Sequence, residues 1–551
     1  MWAHEHRGFL HLGNHSPAPA APPHGTSGVA VFLTHALHRA LAQRPDQTMT
    51  VDGDRSRPTR EVADRVARLA GALQRAGVGV GDRVGIVALN SEHHHEVFFA
   101  SWWAGAVANP INTRWSPAEI AYALTDSGTE VLLVDDAFAG FGPELRERAP
   151  GLRTLIYCGA GPTPEGMLAY EELVADTAPV PEIRRSGDDV AMLLYTGGTT
   201  GKPKGVMVTH RSFMTSLLSY HLAGSSVRPG GVTMLTAPLF HIGALLSWYG
   251  QTLLGGTLVF LPTFTPEGVL SAIDEHRVTG CALVPAMIQR ICEHPDFGTY
   301  DVSSLEFIGY GASGTPQSLL DRALEHFPSV NFIHVYGMTE TGVLTVLGGA
   351  EHRAGGARLR STGRATPIVE IAVIAPDGHP LPPGQVGEVV TRGDHVMAGY
   401  WGKPEDTATA LRDGWMHTGD GGYLDDAGYL YIVDRLKDMI ITGGENVYSA
   451  EVENALAAHP AVASCAVIGV PDPDWGERVH AVVVPRPGHS VTAEELRAHA
   501  KTLIAGYKAP RTVDFVGALP VSGTGKILKR ELRAAFAEND TAAAAATTSQ
   551  K

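Results

Sequence analysis

The sequence predicts an α/β fold, with a large N-terminal domain of layered sheets followed by a small α+β domain. Three observations carry this expectation. Helical segments alternate with short apolar runs up to Ile371, as layers built around parallel sheets require. After Ile371 the texture changes to strand, turn and strand, and from Leu436 onward a compact mixture of helices and strands follows. A chain of 551 residues is also too long for one core, so more than one domain is expected.

In order along the chain, residues 1–28 contain HSPAPAAPPHG and no continuous apolar core, which predicts a disordered extension, or a start site placed too early, and not a secretory signal. A cytoplasmic location is expected on that ground. REVADRVARLAGALQRAGV has apolar residues at three- and four-residue spacing and predicts a helix ended by Gly77 and Gly79. DRVGIVAL reads as a buried strand, and SEHHHEVFFASWWAGAV as a helix capped by Ser91. His93, His94 and His95 are consecutive, so a helix splays them to different sides. This predicts a solvated first turn and no metal site. EVLLVDD and RTLIYCG are further short strands.

Residues 229–266 contain no Asp, Glu, Lys or Arg. Pro238, Gly243, Gly250, Gly255 and Gly256 break the run, which predicts a buried strand–helix–strand unit instead of a membrane span of about 20 residues. VEIAVIAPDGHPLPPGQVGEVVTRG and GGYLDDAGYLYIVDR predict antiparallel hairpins. In the small domain SAEVENALAAHP and TAEELRAHAKTLI read as helices, VASCAVIGVP and ERVHAVVVP as strands. AENDTAAAAATTSQK is a low-complexity end that is expected to fray. The expected boundaries are 1–28 for the extension, 29–434 and 435–536 for the two domains, and 537–551 for the tail.

Composition narrows the function classes. Lys and Arg number 43 against 58 Asp and Glu, a net charge of −15, and general nucleic-acid binding wants a basic face instead. Cys158, Cys281, Cys292 and Cys465 are widely spaced without a C-x-x-C pair, which predicts reduced, mostly buried thiols of an intracellular protein.

YTGGTTGKPKG, Tyr195 to Gly205, is the stretch with most chemistry in it. A Walker A loop is excluded, because Pro203 follows Lys202 and Thr196 stands where the first glycine belongs. The physical content of a phosphate loop remains. Small residues let backbone N–H groups curl around an anion, with hydroxyls and two cations in addition.

Later segments restrict the reading further. HVYGMTE runs from His334 to Glu340, HTGD from His417 to Asp420, and DRLKDMIITGGEN from Asp434 to Asn446; PVSGTGKILKREL then places Lys526 on a Gly-rich loop. In this order and at these distances the segments resemble the adenylate-forming enzymes, which comprise acyl-CoA and aryl-CoA synthetases, peptide-synthetase adenylation domains and beetle luciferases. The resemblance extends from about Val29 to Phe536. It implies a distorted β-barrel subdomain within the large domain and mobility of the small one. It also implies that a carboxylic acid reacts with ATP to give an acyl-adenylate and pyrophosphate, after which the acyl group passes to a thiol. ATP, Mg²⁺ and CoA are the implied cofactors. Acid and α-phosphate repel as anions, so cations and aimed donors should carry most of the catalysis.

The resemblance also implies roles. Thr196, Gly197, Gly198, Thr199, Thr200 and Lys204 would wrap the β- and γ-phosphates; Gly198 stands where relatives often have Ser. Thr196 and Glu340, preceded by Thr339, would position Mg²⁺. Tyr336 would stack on adenine opposite Gly311, Ala312 and Ser313, unless it is a structural core tyrosine. Asp420 would accept from the ribose hydroxyls with Arg435 in support. Lys526 would bridge substrate carboxylate and α-phosphate. Lys437 would be the hinge that withdraws Lys526 and brings Gly443 and Gly444 toward the thiol.

PLFHIGALLSW resembles the segment that precedes and lines the acyl pocket in aryl-CoA ligases of the 4-coumarate type, which implies that His241, Gly243, Ala244 and Ser247 are pocket residues, unless His241 is a core histidine that never touches substrate. The resemblance also places Tyr310 and Val335 where many relatives carry small residues, so their bulk is expected to shorten that pocket, which favours an aromatic or cinnamate-like acid over a medium- or long-chain fatty acid. Phe240-His241 fills the segment where amino-acid-activating relatives place an Asp, which disfavours an α-amino acid. The partner is a small carboxylic acid. Acceptors other than CoA stay open: a separate carrier protein, an amine, or nitrite beside an amino-aryl acid. A luciferase-like oxygenase shares the scaffold. A homodimer is compatible with the sequence; nucleic acid and a membrane span are not expected.

Overall fold

The computed structural model describes residues 31–196, 202–224, 227–312, 315–521 and 527–537. The expected extension 1–28, and the tail beyond Ala537, lie outside them. Two large sheets form the N-terminal part. One has seven strands in the order Leu168–Ala169, Thr154–Tyr157, Val131–Val134, Arg83–Val87, Val107–Pro110, Val190–Thr196, Lys204–Thr209. All its pairs are parallel except the last, which is antiparallel.

The other sheet has 14 strands. Its parallel half runs from Thr48–Asp52 through Thr257–Phe260, Val232–Leu235, Gly280–Leu283 and Phe307–Gly311 to Asn331–Met338. Its antiparallel half continues through Gly342–Leu347, Gly363–Ala365, Tyr429–Arg435, Trp415–Leu424, Gly387–Arg392 and Glu370–Ile374. The expected barrel subdomain corresponds to this second half, hydrogen-bonded without a break to the first. Both hairpins expected after Ile371 are present within it.

The uncharged run is strand Val232–Leu235, helix Ile242–Leu253 and strand Thr257–Phe260, as expected. Among the described residues no helix is long and apolar enough to cross a membrane. The small α+β part is a five-stranded sheet with helices Ser449–Ala457 and Ala493–Leu503. It has its own core, built around Ile440, Val452, Val467, Val479 and Ala481. All four cysteines are buried and free.

The helix Glu92–Trp103 corrects two expectations. Its first turn is not solvated: His93, His94 and His95 are at most 5% exposed. Val97, Phe98, Phe99, Trp102 and Ala100 make the helix apolar on every side, and such a helix is buried all round. His95 Nδ1 accepts from the Trp248 indole at 3.0 Å, which ties this helix to Ile242–Leu253. Ser91 does stand at the N-cap, but its side chain makes no capping hydrogen bond.

The buried histidines have a pH consequence. Burial lowers His94 and His95 from 6.5 to about 3. With folded values depressed, the unfolded chain takes up protons first as the pH falls, so stability is lost on acidification. Denaturant midpoints should therefore decline between pH 6.5 and about 3. Each histidine contributes up to about 1.4 kcal/mol per pH unit. His94→Gln should make the decline shallower; the same slope in the variant would refute the assignment.

Candidate active site

The two ends of the glycine-rich stretch face each other, because Thr196 and Lys204 are partners where the antiparallel strands Val190–Thr196 and Lys204–Thr209 meet. The described ends of the stretch therefore belong to an antiparallel strand pair at one edge of the seven-stranded sheet. Gly197, Gly198, Thr199 and Thr200 lie outside the described residues, as do Ser313 and Lys526. Lys204 Nζ is 2.7 Å from Asp406 and 5.1 Å above the Tyr400 ring. The Tyr400 hydroxyl in turn donates to Glu340 Oε1 at 2.8 Å.

One irregular segment brings these groups together. Gly399 and Trp401 hydrogen-bond to Met207 and Gly205 of the hairpin, while Met397 N–H donates to the Glu340 carbonyl at 2.8 Å. Thr339 and Glu340 form the turn between strands Asn331–Met338 and Gly342–Leu347 of the other sheet. The segment thus joins the two sheets at the mouth of the hairpin. Glu340 is only 7% exposed, and burial raises its pKa against the opposing effects of Tyr400, Arg435 and Lys204. Sequence reading missed Tyr400 and Asp406. MAGYWGKPED has no periodic pattern, and its aromatic pair between glycines was the only signal.

On the antiparallel side, Asp420 and Arg435 are direct cross-strand partners. Arg435 Nε lies 2.7 Å from one Asp420 oxygen, and the Tyr336 hydroxyl donates to the other at 2.6 Å. Asp420 is nearly buried, and Arg435 also donates to the Thr418 carbonyl. Tyr336 packs against the small core formed by Val373, Val389 and Leu430. Gly311 pairs with Val335 so closely that a Cβ there would collide with the Val335 carbonyl. Ala312 follows in the left-handed region at φ 68°, a strained position for a residue with a side chain.

His241 occupies the N-cap position of helix Ile242–Leu253. Its ring packs 4.2 Å from that of Phe240, its Nε2 is buried without a hydrogen-bond partner, and burial lowers its pKa to about 4. Asn90, which sequence reading did not single out, fixes the preceding loop: its amide donates to the Leu235 and Ala237 carbonyls and accepts from Leu239 N–H. A Cβ on Gly243 would meet open space. Ala244 follows directly and Ser247 lies one turn beyond Gly243, and Val335 packs against the same core as Ala244.

Tyr310 requires a correction. Successive residues of a strand alternate between faces, and Tyr310 shares its face with Ile308 and its neighbour His334, opposite to Val335. Its hydroxyl meets His352 Nε2 at 2.8 Å and its ring stacks on His334. It is a core residue on the far side of the sheet from helix Ile242–Leu253 and cannot shorten a pocket there.

In the small part, Gly443 and Gly444 make the turn between Ile440–Thr442 and Glu445–Val447 at φ 61° and 84°. Both need glycine, and a Cβ on Gly443 would strike the Trp475 ring. Lys437 is exposed in the turn that follows Arg435.

Among the described residues no group of three or more His, Cys, Asp or Glu is arranged to hold a metal. A single buried carboxylate still fits Mg²⁺ arriving on a nucleotide, since that ion keeps waters and takes one or two carboxylates plus phosphate oxygens.

Lys204 of the seven-stranded sheet thus stands beside the Tyr400–Glu340 contact, and the larger sheet that carries Glu340 also carries the buried Asp420 paired with Arg435. The layered sheets and appended α+β part are those of the adenylate-forming enzymes. Residues 37–401 match the family described as AMP-binding enzyme, and residues 451–526 its C-terminal domain, so the chain belongs to that family. It is an AMP-forming ligase that activates a carboxylic acid. Among similar proteins, a feruloyl-CoA synthase from Amycolatopsis sp is 41% identical over 90% of this chain and 98% of its own. The fatty acid–[acyl-carrier-protein] ligase ScoC of Streptomyces coeruleorubidus is 39% identical over 85% of this chain and 89% of its own. The solved anthranilate CoA ligase AuaEII, in complex with anthranoyl-AMP, is 28% identical with a TM-score of 0.87, over 94% of this chain and 99% of that one.

Proposed function

We propose that the protein activates an aromatic or cinnamate-like acid with MgATP, releases pyrophosphate and passes the acyl group to CoA. The choice of acid is carried by the open space at Gly243 beside a neutral His241, whose buried Nε2 is left for a substituent on the apolar body of the acid. Val335 continues to support a short pocket; Tyr310 does not. The likeness to feruloyl-CoA synthase and to the anthranilate ligase points the same way.

In this reading the hairpin from Thr196 to Lys204 receives the β- and γ-phosphates, and Glu340 holds Mg²⁺, which would neutralise phosphate charge. Asp420 accepts from the ribose with Arg435 beside it, and Tyr336 covers adenine opposite Gly311, Ala312 and Ser313. Lys526 bridges the acid and the α-phosphate. Lys437 is the hinge between domains 29–434 and 435–536, and Gly443 and Gly444 line the path of the thiol. A carrier protein is the second candidate acceptor, favoured by the likeness to ScoC.

Pyrophosphate release with ATP and Mg²⁺, measured over panels of aryl, cinnamyl and fatty acids with and without CoA, tests this. Turnover that peaks on one aryl acid and requires CoA supports the proposal. A peak on a fatty acid, or release that continues to product without CoA, would replace the acid or the acceptor.

A further inference from the structure

One carboxylate that none of the roles above uses stands where a helix should repel it. Helix Pro117–Ser127 opens on a capping box between Ser116 and Glu119 and closes on Gly128 in the left-handed region. Asp126 is its penultimate residue, and no basic side chain accompanies it in the last turn. An anion at that end faces the negative pole of the helix dipole, so contacts outside the helix must hold it there. Three donors surround it. Asp126 Oδ2 accepts from the Tyr195 hydroxyl at 2.8 Å. Its Oδ1 accepts from Lys403 Nζ at 3.0 Å, and from the Tyr122 hydroxyl, one turn back on the same helix, at 3.3 Å. The Asp126 side chain is 13% exposed, so solvent screens these contacts little.

The donors lead to the two cations of the glycine-rich stretch. Tyr195 precedes Thr196 on strand Val190–Thr196 and pairs with Gly205 on the neighbouring strand. Its ring covers Gly205, where a Cβ would come within 3.1 Å of it, and meets Trp115 edge-on. Lys403 precedes helix Pro404–Ala410, whose Asp406 holds Lys204 Nζ. The same segment carries Tyr400, which is fixed by its own N–H to the Thr407 hydroxyl at 2.9 Å and by the Lys403 N–H to its carbonyl at 3.2 Å. Tyr122 places its ring 4.9 Å from Lys202 Nζ. Lys202 and Lys204 are thus gathered by two tyrosines, Tyr122 and Tyr400, and Asp126 ties the segments of both to Tyr195.

We infer that Asp126 is a positioning residue for adenylation: it locks the Tyr400–Asp406 segment to strand Val190–Thr196, and so sets where Lys204 stands against the Tyr400–Glu340 contact. The inference rests on the proposed roles of Lys204 and Glu340 toward the triphosphate. Asp126 acts on them through Lys403 and Tyr195. The physical requirement is orientation, because about an ångström of misplacement at a charge-neutralising group costs about a hundredfold in rate.

Acid-dependent ATP–pyrophosphate exchange at saturating Mg²⁺, with ATP and acid varied in turn, separates this from a merely structural role. Asp126→Asn should lower kcat/KM for ATP about tenfold to a hundredfold and leave the KM for the acid close to wild type. Its thermal midpoint should move little, since asparagine keeps the volume and relieves the helix dipole. Lys403→Met changes a side chain that is 31% exposed, and should show the same split without a folding defect; Lys403→Arg should restore most of the loss. The double variant Asp126→Asn/Lys403→Met should lose little more than Asp126→Asn alone, because both changes remove one interaction. Wild-type exchange in both single variants, equal effects on the KM for acid and for ATP, or additive losses in the double variant would overturn the inference. Lys204→Met is measured alongside. If it loses exchange while Asp126→Asn and Lys403→Met do not, the inference falls and the underlying reading stands; wild-type exchange in Lys204→Met overturns both.

Discussion

Glu340→Gln is expected to lower acid-dependent pyrophosphate exchange by about a hundredfold to a thousandfold, the range for loss of one group aimed at developing charge. Glutamine preserves the volume and can still accept from the Tyr400 hydroxyl, so the Glu340–Tyr400 contact across the two sheets survives. What disappears is the buried negative charge near Lys204, and with it the proposed anchor for Mg²⁺. The loss should therefore be partly relieved by raised Mg²⁺, and thermal stability should change little. Wild-type exchange should also fall on the acid side at a pH above the usual carboxylate range, because burial raises the Glu340 pKa and only the ionised form binds a cation. Raising Mg²⁺ should move that fall to lower pH. Exchange in Glu340→Gln within a few-fold of wild type, measured at several Mg²⁺ concentrations, would remove Glu340 from the metal site.

Asp420→Asn is the second large effect. The two Asp420 oxygens each serve one donor, Arg435 Nε and the Tyr336 hydroxyl. Asparagine offers one acceptor and turns its amide N–H₂ toward a donor, which leaves a half-buried guanidinium or phenol poorly satisfied. We expect kcat/KM for ATP to fall about a hundredfold, two charge-assisted hydrogen bonds at about 1.5 kcal/mol each, with the KM for the acid changed far less. A nucleotide lacking a ribose hydroxyl supplies the decisive comparison. It should be a poor substrate for the wild type but should cost Asp420→Asn little more, since both changes remove the same interaction. Additive losses would mean that Asp420 supports Arg435 and Tyr336 without touching the sugar.

Much of the architecture is local and therefore legible along the chain. The strand–helix–strand reading of the uncharged run, the hairpins after Ile371, and the α+β end all rest on periodicity and turn residues that act within a few positions. The Asp420–Arg435 pair is local in the same sense, because a hairpin between them sets their register. The sequence by itself determined these elements, and through its ordered motifs the class of chemistry.

Tertiary structure alone decided which distant groups meet. Glu340, Tyr400 and Lys204 belong to segments separated by tens of residues, and the contact depends on how the Met397–Trp401 segment spans two sheets. The face of Tyr310 was set by the parallel register of Phe307–Gly311 against Asn331–Met338, which no residue within either strand announces. His93, His94 and His95 are buried because other helices and a sheet surround theirs, so local polarity misled. Asp126 lies 69 positions from Tyr195 and 277 from Lys403, and only packing of its helix beside their strand and segment brings the three together. Short-range patterns fix the elements because they act through the backbone's own hydrogen bonds; the site depends on register and inter-sheet packing, which sum weak contacts over the whole chain.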